Sequence, residues 1–270
     1  MHPIKAAIFD VDGTLFDYRN QEIPASTVAA VQKLKDRGLT VIVATARSYP
    51  ELSEDLLTKI DVDYYVAATG HCILDRSGRV LSSIRFTYDQ VETVKALAVE
   101  HNAGLTLKYE DRSCLYRHPE QMRAIYSNIG QPRCPSMVCP TLDYHRAHLP
   151  MGFTVWGENG IREQIRQALS AYPRDFRMEL FGNGTVADIY SPGANKMTAL
   201  SRLVEDLGLE PEMCMAFGDS RNDLEMIRWA GLGVAMGNAC QELKDAADAV
   251  CGATWEDGIA EYLQTHIFSE

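Results

Sequence analysis

The chain has 270 residues, a formal net charge of −11, and 46% hydrophobic against 23% charged residues. These proportions belong to a folded chain with a packed core and exclude long disorder. No Lys/Arg run is present, so no nucleic-acid partner is expected, and no apolar run approaches the ~18 residues that cross a bilayer, so no membrane span is expected. The seven cysteines are an odd number in a chain that is not small, and the N-terminus lacks a secretory pattern; both lead us to expect a reducing, cytoplasmic setting.

Residues 4–9 are a short apolar run ending at Asp10 and read as a buried parallel strand, broken by Gly13. Residues 26–37 put Val28, Val31 and Leu34 on one helical face, with Gly38 where a helix ends. Residues 39–44 (LTVIVA) read as a second buried strand leading to Thr45, residues 51–60 as a helix, and residues 64–68 as a third apolar run before Gly70. Residues 72–74 and 80–82 flank Ser77 and Gly78 as a hairpin. After about Ile84 the pattern changes. A helix is expected at 88–101, strands at 105–109 and 114–117, a helix at 119–129, a strand at 153–156, a helix at 161–171 and a strand at 176–180, while the proline-rich stretch 131–150 has no readable period. Alternation resumes with a strand at 186–190, a helix from about Asn195, a strand at 213–217 and a helix at 223–229. An apolar GVAM run at 233–236 and helices near 241–247 and 256–265 close the chain.

The simplest assembly is an α/β fold: a doubly wound, Rossmann-like parallel-sheet core from residues 1–83 and 187–270, with an inserted α+β domain at 84–186. Ligands of such cores sit at the carboxyl ends of the strands. Four polar clusters follow expected strands: Asp10 and Asp12, Thr45 and Arg47, Lys196 after the 186–190 strand, and Asp219, Asn222 and Asp223.

These residue types suit phosphoryl transfer. A carboxylate at a strand end, Asp10, can attack phosphorus and form an acyl-phosphate; a second one two residues on, Asp12, can protonate the leaving oxygen and later deprotonate water. Gly13 permits the turn that aims both inward. Mg²⁺ prefers hard oxygen ligands, which Asp10, Asp219 and the Asp12 carbonyl could supply, with Asn222 and Asp223 orienting them. Thr45 can offer its hydroxyl and backbone N–H to a phosphate oxygen, and Lys196 places charge where negative charge accumulates.

Together the clusters resemble the haloacid dehalogenase superfamily of phosphatases, most closely the Cof-like branch with a large α+β cap. The resemblance rests on FDVDGTL at 9–15, VIVATAR at 41–47, Lys196 after SPGAN, FGDSRNDLEM at 217–226, GVAMGNA at 233–239 and DGIAEYL at 257–263. It implies a nucleophile at Asp10 and a general acid/base at Asp12. Phosphoryl-binding positions would be Thr45, Ala46, Arg47, Lys196 and Asn222, and Mg²⁺ would be held by Asp10, Asp12 and Asp219 with Asp223 in support. The implied substrate is a small phosphorylated metabolite, sugar phosphates first, with flavin mononucleotide or pyridoxal phosphate next. Departures are Ala46 and Met197 where the family often has Gly, and Thr69-Gly70-His71 where it commonly has Asn-Gly-Ala. A phosphomutase and a non-catalytic phosphometabolite-binding protein are the alternative readings, and oligomeric state is left open.

Other features weigh less. Cys134, Cys139, His145 and His148 have metal-ligand chemistry at a spacing tighter than common zinc modules. The GNGTVA run at 182–187 matches a dinucleotide fingerprint only loosely, and no phosphate-binding P-loop sequence is present. Arg112, Tyr116, Arg133, Trp156, Phe181 and Asn183 are candidates for choosing the substrate.

Overall fold

A computed structural model describes residues 3–128, 136–158, 160–181 and 186–268. The chain forms two compact units. The first joins Met1–Ala46, Ser53–Leu81 and Asn195–Glu270; the second joins Arg47–Leu52 to Ser82–Ala194.

The first unit is built on an eight-stranded sheet. From one edge the strands are Ala249–Val250, Leu232–Ala235, Cys214–Gly218, Ala6–Phe9, Thr40–Ala44, Tyr64–Ala67, Cys72–Asp75 and Val80–Ser83. The first six run parallel, and Cys72–Asp75 turns back antiparallel to Tyr64–Ala67. Every residue of Ala6–Phe9 and Cys214–Gly218 is buried. Successive strand side chains point to opposite faces, so both faces of the sheet centre are covered, as a parallel sheet requires. Phe9 and Phe217 are register partners on these strands, with rings stacked 5.1 Å apart. The stack fixes the two strand ends just before Asp10 and Gly218.

The second unit has a six-stranded sheet in the order Arg177–Phe181, Val186–Tyr190, Gly152–Trp156, Gly104–Lys108, Ser113–Arg117 and Ser136–Val138. Leu105, Leu107, Phe153, Val155, Ala187 and Ile189 lie in one hydrophobic core with Val91, Val94 and Ala98 of helix Tyr88–Glu100 and Ile165 and Leu169 of helix Ile161–Leu169. The alternate positions Lys108, Thr154 and Asp188 are polar yet buried. Lys108 Nζ lies 2.6 Å from Asp188 Oδ2, and Thr154 donates to Asp188 Oδ1 at 2.6 Å. Glu51, from the short 47–52 segment, accepts a bond from Ser113 at 3.2 Å and lies 3.7 Å from Lys108.

Two expectations need correction. The strand at 186–190 is not a core strand; it pairs antiparallel with Gly152–Trp156 and Arg177–Phe181. Its sequence, VADIY, places a buried Asp188 between apolar neighbours, a period-two pattern that suits a sheet with two unlike faces. The expected 51–60 helix also divides: Glu51 ends a 3₁₀ turn, Tyr49–Glu51, in the second unit, and the helix is Glu54–Lys59, capped by Ser53.

Lys196 therefore owes its position to a helix start. Helix Lys196–Asp206 begins with a reciprocal cap in which Asn195 Oδ1 accepts from the Thr198 N–H at 2.7 Å and Thr198 Oγ1 from the Asn195 N–H at 3.2 Å. Behind it sits the 68–70 turn, where Gly70 has φ +88° and a Cβ would lie 2.2 Å from the Asn195 carbonyl oxygen. A side chain in this left-handed backbone costs roughly 1–2 kcal/mol, to which the collision adds. Gly70→Ala is expected to lower the urea midpoint at unchanged slope; an unaltered midpoint would show that this approach does not seat the helix.

Candidate active site

Parallel pairing of Phe9 with Val43 and Phe217 sends Asp10, Thr45 and Asp219 off the same end of neighbouring strands. Asp10 is 4% exposed. Lys196, 1% exposed, places its Nζ 2.6 Å from Asp10 Oδ1, 2.7 Å from Asp223 Oδ1 and 3.3 Å from Asn222 Oδ1. Three residues, Asp10, Asn222 and Asp223, that span more than two-thirds of the sequence thus converge on one ammonium group.

Asp223 shapes the loop as well. Its second oxygen, Oδ2, accepts the backbone N–H of Asp219 and of Ser220, each at 3.1 Å. Both of its oxygens are engaged, so it acts as a brace that aims Asp219. Gly13 lets the first loop come against that carboxylate: its φ is +85°, and a Cβ there would lie 2.3 Å from Asp219 Oδ2. Asn222 Oδ1 also accepts from the Ser220 hydroxyl at 2.9 Å.

Asp10, Asp219 and Asp223 each bring one oxygen within 4.8 Å of the others. Three carboxylates face one ammonium. Burial, opposed by Lys196, pushes Asp10 up to about 7, with Asp223 and Asp12 adding to the rise. Burial followed by the Asp10 and Asp223 charges raises Asp219 to about 8. Burial alone would depress the Lys196 ammonium, but the Asp10 and Asp223 carboxylates hold it well above its ordinary value. Asp219 Oδ1 is buried with no hydrogen-bond partner. Excess negative charge, hard oxygen donors and an orphaned carboxylate oxygen fit a divalent cation such as Mg²⁺.

The other expected residues are placed as follows. Asp12 is half-buried, and the Tyr18 hydroxyl donates to its Oδ1. Thr45 is buried, but its backbone N–H donates to the Val66 carbonyl at 2.8 Å, and its own carbonyl accepts the Thr69 N–H at 3.0 Å. That corrects the expectation that the Thr45 N–H serves phosphate: the sheet ladder runs one residue further and takes it. Ala46 closes this stretch of the first unit, half-buried. Arg47 belongs to the second unit, buried, with Nη1 donating to the Glu51 carbonyl at 3.4 Å.

Sequence reasoning missed Tyr18, Asn238 and Thr254. Asn238 and Thr254 follow the strands Leu232–Ala235 and Ala249–Val250, so the strand-end rule that found Asp219 could have found Asn238. In the second unit, Arg112 pairs with Asp111, and the Tyr116 hydroxyl lies 3.0 Å from His145 Nδ1. Trp156 meets His118 edge-on. Arg133, Asn183 and the side chain of Phe181 lie outside the described residues, as does Cys134. His145 Nε2 contacts Glu92 Oε1 at 2.6 Å and His148 stacks on Tyr144, so the described part of the Cys/His cluster is occupied with other partners.

The raised carboxyls have a stability consequence in protein stripped of divalent cations. An unfolded Asp titrates near 3.8, so between there and about 7 to 8 the folded state holds more protons than the unfolded one. Stability from these groups is therefore complete below about 4 and is lost as pH rises to about 8. In EDTA the urea midpoint is expected to fall over this window more steeply for the unaltered protein than for Asp219→Asn, and saturating Mg²⁺ should flatten it. Equal slopes for the two proteins would contradict the assignment.

Comparison with known proteins agrees with this geometry. The profile of the family described as haloacid dehalogenase-like hydrolase matches residues 7–263. The 5-amino-6-(5-phospho-D-ribitylamino)uracil phosphatase YcsE of Bacillus subtilis is 28% identical over 265 residues, covering 97% of this chain and 95% of the relative. An HMP-PP phosphatase of Yersinia enterocolitica is 29% identical over 264 residues, covering 96% and 94%. A solved phosphatase of the superfamily from Bacteroides thetaiotaomicron superposes with a TM-score of 0.83 at 25% identity, covering 98% of this chain and 95% of the other. Among the described residues no helix is long and apolar enough to cross a membrane. The chain belongs to the haloacid dehalogenase-like hydrolases and is an enzyme of their phosphatase type.

Proposed function

We propose that the protein is a Mg²⁺-dependent phosphomonoesterase of the cytoplasm that hydrolyses small phosphorylated metabolites through an aspartyl-phosphate on Asp10. The observation that carries this reading is the buried Lys196 ammonium, 2.6 Å from Asp10 and 2.7 Å from Asp223, beside an Asp219 oxygen without a partner. Asp10, Asp219 and the Asp12 carbonyl would hold the cation, with Asp223 in support through the Asp219 loop. When bound, Mg²⁺ neutralises charge on the phosphoryl oxygens and lowers their repulsion toward an anionic nucleophile.

An oxygen of Asp10 attacks phosphorus while the ester P–O bond breaks, and Asp12 gives its proton to the departing alcohol oxygen. Water then attacks the aspartyl-phosphate, Asp12 takes its proton, and the acyl-phosphate P–O bond breaks to free Asp10 and inorganic phosphate. Tyr18, donating to Asp12 Oδ1, steadies the proton carrier between these steps. Lys196 restrains Asp10 and offsets charge on the transferring group, and the Thr45 hydroxyl and Asn222 amide bind its oxygens. The backbone N–H of Ala46, next after Thr45 in the first unit, would offer the donor that the Thr45 N–H, bonded to Val66, does not.

Sugar and polyol phosphates are the first substrate class to test. YcsE is named for a ribityl phosphate, which supports that order. HMP-PP, flavin mononucleotide and pyridoxal phosphate complete the panel.

Asp10→Asn is expected to lower kcat by roughly 10⁴-fold or more with circular dichroism unchanged, and Lys196→Met by roughly 10²–10³-fold. Near-normal turnover in Asp10→Asn would refute the nucleophile. EDTA is expected to stop phosphate release and Mg²⁺ to restore it; indifference to both would remove the metal from the reaction. In ¹⁸O-labelled water the label is expected in phosphate, whereas transfer to a second sugar hydroxyl without phosphate release would mark a mutase.

A further inference from the structure

Three neighbouring strands of the first unit, Cys214–Gly218, Leu232–Ala235 and Ala249–Val250, release their chains at the same end of the sheet. The loops that follow the outer two are laced together. The Gly237 N–H donates to the Gly252 carbonyl at 3.1 Å, and the Thr254 N–H donates to Asn238 Oδ1 at 3.1 Å. The second bond settles which end of the Asn238 amide is the oxygen. Its Nδ2 therefore points the other way, donating to the Gly13 carbonyl at 2.8 Å and reaching Asp219 Oδ2 at 3.4 Å. The Thr254 hydroxyl donates to the same Gly13 carbonyl at 2.5 Å.

One amide thus ties the loop of Asp10 and Asp12 to the loop of Asp219, and Thr254, 3% exposed, locks that amide. The tie has a direction. It engages Asp219 Oδ2 and leaves Oδ1 buried without a partner. An orphaned buried acceptor costs roughly 1–3 kcal/mol, so this arrangement holds a free oxygen ready for a cation.

We propose that Asn238 and Thr254 are positioning residues for the divalent cation: they clamp the Gly13 carbonyl and Asp219 Oδ2 so that Asp219 Oδ1 is presented as a ligand. This rests on the metal-dependent reading of the site above. Neither residue touches the reacting groups; they act through Gly13 and Asp219. Groups that orient metal ligands typically change affinity 10–100-fold when removed.

The test is direct titration of the full chain with Mn²⁺, reading free ion by its electron paramagnetic resonance signal, alongside the thermal midpoint of each variant. The unaltered protein is expected to bind Mn²⁺ and Asp219→Asn to lose it. Asn238→Ala and Thr254→Val are expected to bind roughly 10–100-fold more weakly, while Thr254→Ser, which keeps the hydroxyl, retains the unaltered affinity. Should Asn238→Ala fail to fold, Thr254→Val, which keeps the shape of Thr without its hydroxyl, and Thr254→Ser, which keeps the hydroxyl without the methyl group, decide. Unaltered Mn²⁺ affinity in Asn238→Ala and Thr254→Val, even with a lowered thermal midpoint, would overturn the proposal and leave a purely structural clamp. Unaltered affinity in Asp219→Asn would instead overturn the metal reading on which it stands.

Discussion

The buried ammonium of Lys196 is the interaction on which the rest of the site depends. It sits between Asp10 and Asp223 and is almost without solvent. Removing one member of such a buried set costs about 3–5 kcal/mol, because the partners are left charged and uncompensated. The set is also unbalanced toward negative charge: Asp10 is raised by burial and by Asp223 and Asp12, and Asp219 by burial and by Asp10 and Asp223. A protein selected only for stability would gain by replacing these groups with packed apolar ones. Their presence fits the centre proposed above, which would accept cationic and phosphoryl partners in turn.

The sheet supplies the rigidity this centre needs. The Phe9–Phe217 stack lies directly beneath Asp10 and the Asp219 loop, between two strands without an exposed residue. Asp223 converts that strand geometry into loop geometry by holding the N–H groups of Asp219 and Ser220. The Asp10 and Asp219 oxygens are thereby placed by a packed core and by backbone bonds, whereas the half-buried Asp12 is met by the hydroxyl of the exposed Tyr18. The second unit follows a different rule: a mostly antiparallel sheet, with a parallel edge strand Ser136–Val138, has one face in a hydrophobic core and the other carrying the buried Lys108, Thr154 and Asp188.

Much of the first unit could be read in the chain because parallel strands buried on both faces appear as unbroken apolar runs. Residues 4–9, 39–44 and 213–217 announce themselves, and with them Asp10, Thr45 and Asp219. The same rule misled at 186–190, where Asp188 within VADIY was the sign of a two-faced sheet. The Thr45 N–H could not be assigned either, since whether a strand's ladder ends one residue sooner or later depends on its neighbour, here Val66. Thr254 escaped for a related reason. Ala249–Val250 is only two residues long and leaves no periodicity, so nothing local says that Thr254 returns to Gly13, 241 residues away.

That separation has a consequence for the order of events during synthesis. Asp10 leaves the ribosome before Lys196, which follows it by 186 residues, and the Asp219 loop and Thr254 come later still. A nascent chain that stops short of residue 196 carries Asp10 without its counter-charge, and its Ala6–Phe9 strand lacks the neighbour Cys214–Gly218. The hairpin-rich second unit, nearly continuous from 82 to 194, has its own contacts complete before that point. Translation thus completes the second unit while the first is unfinished, and the Ala6–Phe9 strand must wait, unpaired on one side, until residues 214–218 are made.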